Sequence, residues 1–190
     1  GGTYEDWDGN AYQTVQVVDL DLTYAGSLAN QKWVSLVDQS LNTNQPCDSG
    51  AVAAATAGSA YSGVLPAPAA SSVVTVDTLG MDTTLTFAVC YAETDGTSTD
   101  TTWADSGIRL TVSKVTSVEY GEVHSSLPMR TWRSTNIMAA TNRLPQVAGA
   151  EVTYVGSLAS AQWLSVVDVS QNSNNPCVAG AEAAHAASGA

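Results

Sequence analysis

Cations are scarce in this chain: six Lys and Arg stand against eighteen Asp and Glu, for a formal net charge of −12. Binding a phosphate backbone needs clustered Lys and Arg, which argues against nucleic acid as a partner. No apolar run approaches the roughly 18 residues that a membrane-crossing helix requires, so no membrane span is expected. A basic-then-apolar leader is also absent, so an export signal is expected to have been removed or to lie outside this stretch. The ends, GGTYED and AASGA, read as the interior of a longer precursor. There are only two His, His124 and His185, and no G-x-S-x-G, H-E-x-x-H, P-loop or dinucleotide-binding pattern. The Glu93 and Asp95 pair cannot by spacing alone be set across a glycosidic bond. No enzyme activity and no cofactor are therefore expected. N-x-S/T does not occur, so N-linked glycosylation is not encoded.

What the chain does have is a repeat. Residues 23–60, beginning TYAGSLANQKWVSLVDQSLNTNQPC, recur without a gap as residues 153–190, beginning TYVGSLASAQWLSVVDVSQNSNNPC, with 21 identities in 38 positions. A strict period points to an array built from one structural unit. With 44% apolar and 13% charged residues, the composition is that of a folded chain rather than a disordered one. The acidic residues are scattered singly and read as a solvated surface. Asp6, Asp8 and Asn10 in EDWDGN alternate as calcium ligands do, but Ala11 stands where a calcium loop needs Gly, and Asp8-Gly9-Asn10 reads better as a turn.

Period-two patterns set the fold class. In TLTFAVCYA, Leu85, Phe87, Val89 and Tyr91 share one face, and Thr84, Thr86, Ala88 and Cys90 share the other, which describes a strand with its small-residue face against something close. SVVTVDTLGMD reads as a strand and a turn at Gly80, and Asp95-Gly96 is the strongest turn signal after it. Ile108, Leu110 and Val112 alternate and then slip phase to Val115; the N-terminal stretch slips in the same way between Val15 and Val18. Such a slip predicts a bulge, or a strand that changes sheet. KWVSLVDQS is read as a strand rather than a helical turn capped by Ser27, because its bulk is kept in the second copy and a turn follows at once. The Ala-rich segment after each Cys reads as a loop with a short helical turn.

Together these signals predict an all-β protein: an Ig-like β-sandwich unit, a partial second unit and a connector. Residues 1–22 are expected to be the last strand of a unit and a candidate donor strand. Residues 23–119 form the complete unit, 120–152 the connector and 153–190 the opening of the second unit. Cys47 and Cys177 are repeat equivalents in an N-x-P-C context. The simplest account pairs Cys47 with Cys90 and leaves Cys177 unpaired or intersubunit; three buried thiols are the alternative.

The candidate assembly interface comprises Val15, Val18, Leu20 and Leu22 of the donor segment, with Trp132 and Trp163. Trp132 lies between Arg130 and Arg133, the usual composition of an interface anchor. Trp33 and Trp163 are surrounded by Val and Leu, which favours core packing over a sugar platform. In VLPAPAASS, Pro66, Pro68, Ser71 and Ser72 resemble the hydroxyproline glycosylation modules of plant and algal surface glycoproteins, on what is expected to be an exposed extended loop; an ordinary Pro-rich loop is the alternative.

The phrases FAVCYAE, TWADSGIRLTVSKV and GSLA…W…VD.S…PC resemble large tandem-repeat proteins of algae and other aquatic protists, with Ig-like or cadherin-like extracellular units. The resemblance spans most of residues 23–119 and 147–190, and extends to glycan-decorated fibrils of fresh water. It implies secretion and a structural role, carries no catalytic residue, and makes covalent glycans candidate partners. The expectation is an extracellular filament subunit, a head-to-tail homopolymer in which residues 11–22 of one subunit complete residues 153–190 of another. A carbohydrate-binding or adhesin module of a longer surface protein is the alternative.

Overall fold

A computed structural model describes residues 12–68, 72–120, 130–133 and 152–184. The fold is β-rich, with 36% strand and 16% helix. The chain divides into two units, residues 1–157 and residues 158–190.

In the first unit, β1 (Tyr12–Val15), β3 (Lys32–Asp38), β4 (Leu65–Ala67), β6 (Thr86–Ala92) and β7 (Ala104–Ser113) form one sheet in the order β1-β7-β6-β3-β4. A two-stranded sheet joins β2 (Leu20–Thr23) to β5 (Val73–Val76), and a three-stranded sheet runs β10-β8-β9, from β8 (Val115–Tyr120), β9 (Arg130–Arg133) and β10 (Val152–Gly156). All pairings are antiparallel except β1 with β7, which is parallel.

Alternation explains why the large sheet is buried on both faces, since successive side chains of a strand point opposite ways. From β3, Leu36 joins a core with Phe87, Leu110, Val112, Val76 and Met81, against which Leu20 and Leu22 also pack. Its neighbour Val37 joins a second cluster with Cys47, Ala53, Ala88, Cys90, Ala92 and Trp103. The first cluster sits between the large sheet and the β2–β5 ribbon. The second is covered by the segment after β3: a left-handed turn α1 (Leu41–Asn44), a 3₁₀ turn at Pro46–Asp48 and a single helical turn α2 (Gly50–Ala53). The small residues of β6 are the reason this cap can lie close, as its alternating sequence suggests.

Both phase slips fall where the chain changes sheet. β7 ends at Ser113 in the large sheet, and β8 begins at Val115 in the three-stranded one. At the N-terminal side, β1 lies in the large sheet and β2 in the ribbon. Buried Thr78 secures this second crossing: its hydroxyl donates to the Val15 carbonyl at 2.7 Å and accepts from the Val17 amide at 2.9 Å. A hydroxyl does both at once, so it satisfies the main-chain groups that the bend frees.

The unit boundaries differ from those expected. Residue 22 does not end a unit: β1 pairs with β7 and β2 with β5, so residues 12–23 are built into the same sheets as the strands that follow. Residues 152–156 likewise pair with β8, and the second unit starts at Leu158. The connector contains β9, whose Trp132 stands opposite Val118. Sequence slips mark where a chain bends but not which strands it then joins, because pairing depends on residues far along the chain.

Candidate assembly surface

The repeated segment occurs twice, in two environments. In the first copy, β3 is flanked on both sides. On one side β6 pairs with six of its residues, from Trp33 opposite Ala92 to Asp38 opposite Phe87, with Ser35 opposite Cys90. On the other side β4 pairs with three, from Lys32 opposite Ala67 to Val34 opposite Leu65. Cys47 is disulfide-bonded to Cys90, with Cα atoms 5.3 Å apart, closing 43 residues of chain. Both sulfurs are fully buried.

The turn that carries Cys47 is encoded locally. The Asp38 carboxylate accepts hydrogen bonds from the Ser40 amide and hydroxyl, both at 2.9 Å. Asn42 and Thr43 then adopt left-handed conformations, with φ of 47° and 59°. Asn tolerates this region because its side chain can bond nearby main chain, and Asn42 Nδ2 donates to the Gln45 carbonyl at 2.7 Å.

The second copy keeps the turn and loses the strand. The Asp168 carboxylate accepts from the Ser170 amide and hydroxyl at 2.9 Å. Asn172 and Ser173 have φ of 47° and 55° in α3 (Gln171–Asn174), followed by a 3₁₀ turn at Pro176–Val178 and α4 (Gly180–Ala183). These bonds from the Ser170 amide and hydroxyl hold the Asp168 carboxyl below the ordinary range, with a smaller contribution from Gln171, and outweigh the opposing effect of burial. Residues 162–168, in contrast, form no strand.

Exposure follows pairing. Leu36 is 1% exposed and its equivalent Val166 is 77% exposed. Trp33 is half-buried, whereas Trp163 is 95% exposed and Cys177 is an exposed free thiol. Trp163 therefore does not have the core packing that its Val and Leu neighbours suggested: among the described residues no strand covers it. Val169 and Val178 are exposed as well, as are their first-copy equivalents Gln39 and Asp48. Each large side chain of this kind is worth about 1.5–3 kcal/mol when fully buried, so the face is costly to leave in water.

The glycines report the same difference. A Cβ on Gly50 would stand 2.6 Å from the Ser98 carbonyl oxygen, whereas a Cβ on Gly180 would meet nothing within 4 Å. The loop over Gly50 is organised by Asp100. Its carboxylate accepts from the amides of Asp95, Gly96 and Thr102, each at 2.8 Å, and from the Thr102 hydroxyl at 2.6 Å. Burial by itself raises this carboxyl's pKa, but the bonds from Thr102, Gly96 and Asp95 prevail and hold it well below the usual carboxylate range. Gly96, at φ +67°, packs directly on the Trp33 ring, which leaves no room for a side chain.

The other candidate residues are distributed as follows. Val15 is buried beside β7, Leu20 and Leu22 are half-buried in β2, and Val18 is exposed at the bend. The structure brings Val15, Leu20 and Leu22 into their own unit. Pro66 is exposed, not on a loop but in the edge strand β4, a position that does not require the amide proton proline lacks. Pro68 is half-buried and accepts from the Ser72 amide at 3.0 Å; Ser71 lies outside the described residues. An open groove of about 670 Å³ runs past Trp33, Pro66, Pro68, Thr75, Thr94 and Asp95. The Trp33 Nε1 is buried without a hydrogen-bond partner among the described residues.

Sequence reasoning did not single out the D-x-S/T pairs. Asp38, Asp82, Asp95, Asp100 and Asp168 each accept bonds from the Ser or Thr two residues on. The signal was the spacing itself, since an Asp side chain bonding main chain two residues ahead makes an Asx turn. No protein-family model, curated protein or solved structure matches this chain.

Proposed function

We propose that this chain is a structural subunit of an extracellular filament, assembling head to tail as a strand from one molecule completes the second unit of the next. The observation that carries this reading is the exposure of Trp163, Leu164 and Val166, whose repeat equivalents in the first unit are half-buried (Trp33, Val34) or buried (Leu36). A contact between the second repeat copy of one molecule and a strand from another is heterologous, so it propagates rather than closing. Residues 11–22 are the candidate donor. In favour, β1 is an edge strand whose one strand partner among the described residues is β7. Against it, releasing β2 would withdraw Leu20 and Leu22 from the core they pack on.

The reading of the first unit as an Ig-like sandwich is supported by a core shared between the large sheet and the β2–β5 ribbon. The buried disulfide is compatible with an oxidising, extracellular setting. No described helix is long and apolar enough to cross a membrane. Glycans on Pro66 would project from an exposed edge, where they do not disturb either core.

Negative-stain electron microscopy of the chain with and without residues 1–22, and of Val166→Asp, tests the proposal. Filaments are expected from the intact chain and are lost in Val166→Asp; loss on truncation identifies the N-terminal segment as donor. Monodisperse particles in every sample would sink the filament. The groove beside Trp33 then favours the second reading, a carbohydrate-binding or adhesin module, provided oligosaccharides bind there.

A further inference from the structure

The first unit specifies what the second copy lacks. β3 is held on its longer flank by β6, a strand that is antiparallel, paired over six residues and laid down with alternating large and small side chains. Phe87 and Val89 face one cluster, and Ala88, Cys90 and Ala92 face the other. The small face is what lets the Cys47 turn lie against the sheet, and Cys90 stands opposite Ser35 where it reaches Cys47.

The strand pattern and the turn recur in the second copy, although Leu41 and Val52, which pack on the second cluster, are Gln171 and Glu182 there. Trp163, Ser165, Val166, Val167 and Asp168 stand where Trp33, Ser35, Leu36, Val37 and Asp38 do. The turn leading to Cys177 has the conformation of the turn leading to Cys47. The two cysteines differ in pairing: Cys47 is buried in a disulfide, whereas Cys177 is free and exposed.

We propose that residues 162–168 with Cys177 form a seat for one antiparallel strand of the β6 type, and that this strand brings a cysteine opposite Ser165 into a disulfide with Cys177. This inference rests on the proposed reading of the second repeat copy as a seat for an added strand. Residues 11–22 contain no cysteine, so they do not meet the requirement on this flank. The flank that β4 occupies in the first unit, which takes only three residue pairs, is the one open to them.

The covalent step needs an oxidant, and a small disulfide such as oxidised glutathione serves. The Cys177 thiol and the partner thiol together give up two protons and two electrons to form one S–S bond, and glutathione disulfide leaves as two thiols. Seating the strand first raises the effective concentration of its thiol at Cys177, so capture is selective for sequences that fit.

The test incubates the intact chain in a glutathione redox buffer with a synthetic peptide of residues 83–94, TTLTFAVCYAET. A scrambled peptide of the same composition and a Cys90→Ser version serve as controls. Intact-mass and peptide mapping read the mixed disulfide at Cys177, with the Cys47–Cys90 bridge as the internal folding control. Capture of the native-order peptide is expected to be at least about tenfold faster than that of the scrambled one. It falls to the scrambled rate in Val166→Asp, an exposed position whose change leaves the first unit intact. The Cys90→Ser peptide, labelled and followed by anisotropy, is expected to bind without a covalent bond. Equal capture of native-order and scrambled peptides, or no binding of the Cys90→Ser peptide, overturns the seat and leaves Cys177 an ordinary exposed thiol. Filaments formed by a chain that fails to select the peptide would remove this inference while sparing the filament; selective capture without filaments would do the reverse.

Discussion

Residues 32–53 and 162–183 are two versions of one sequence, and they differ in what lies beside them. In the first, a strand, a turn and a disulfide form together; in the second, the turn forms alone. The comparison separates local from borrowed structure. The D-x-S bonds and the left-handed Asn span a few residues, so each copy can make them unaided. A strand's hydrogen bonds go to another strand, so the Trp-x-S-x-V-D pattern becomes a strand only where β6 and β4 supply partners.

The largest expected effect comes from the cysteines. Cys47→Ser is expected to lower the stability of the first unit by about 4 kcal/mol, the chain-entropy value for a loop of this length. Cys177→Ser should leave the thermal unfolding of that unit unchanged. A comparable drop from both substitutions would mean that the two cysteines are not in different environments.

The core position beside them sharpens the contrast. Leu36→Ala removes a fully buried side chain and is expected to cost about 2–5 kcal/mol in urea unfolding. Val166→Ala, on the exposed copy, should stay within about 0.5 kcal/mol. In assembled material the second substitution should acquire a cost of its own, read as a raised critical concentration for assembly.

Gly50→Ala and Gly180→Ala make the same comparison at the cap. The first drives a methyl group into the Ser98 carbonyl and is expected to destabilise by about 1–3 kcal/mol. The second meets open space and should change nothing in the isolated chain.

The smallest effect is a pH dependence. Asp100 has a depressed folded pKa, so its stabilisation is fully present above the unfolded value of about 3.9 and is lost as pH falls through the lower folded one. Between about pH 5 and pH 2 the melting temperature of the first unit should fall, and Asp100→Asn should flatten that fall. Asp168 is depressed by the same kind of bond, but in a turn outside the first unit. Asp168→Asn should therefore leave the acid profile of that unit as it is.

Much of the first unit was legible residue by residue. The alternation of residues 84–92 located β6, the bulk of KWVSLVD located β3, and the slips after Val15 and Val112 located the two changes of sheet. Their legibility has one cause: side-chain period and turn chemistry act over short stretches of chain. The unit boundaries were less legible. Nothing near Leu20 announces that it packs with Val76, more than fifty residues on. The bulge opposite Ala88 and Cys90 also escaped notice, although Gly107 and the Asp105–Arg109 ion pair mark its site. Most important, Trp33 and Trp163 have closely similar neighbours in sequence and opposite fates in space.

The repeat, the turns, the acidic surface and the residues able to form strands were determined by the sequence alone, because propensity, periodicity and Asx bonding are short-range. Which of two nearly equivalent segments became a strand, which cysteine found a partner and which tryptophan was covered were decided by tertiary structure. Burial and ladder bonds require a second segment to arrive, and only the first copy has β6 beside it.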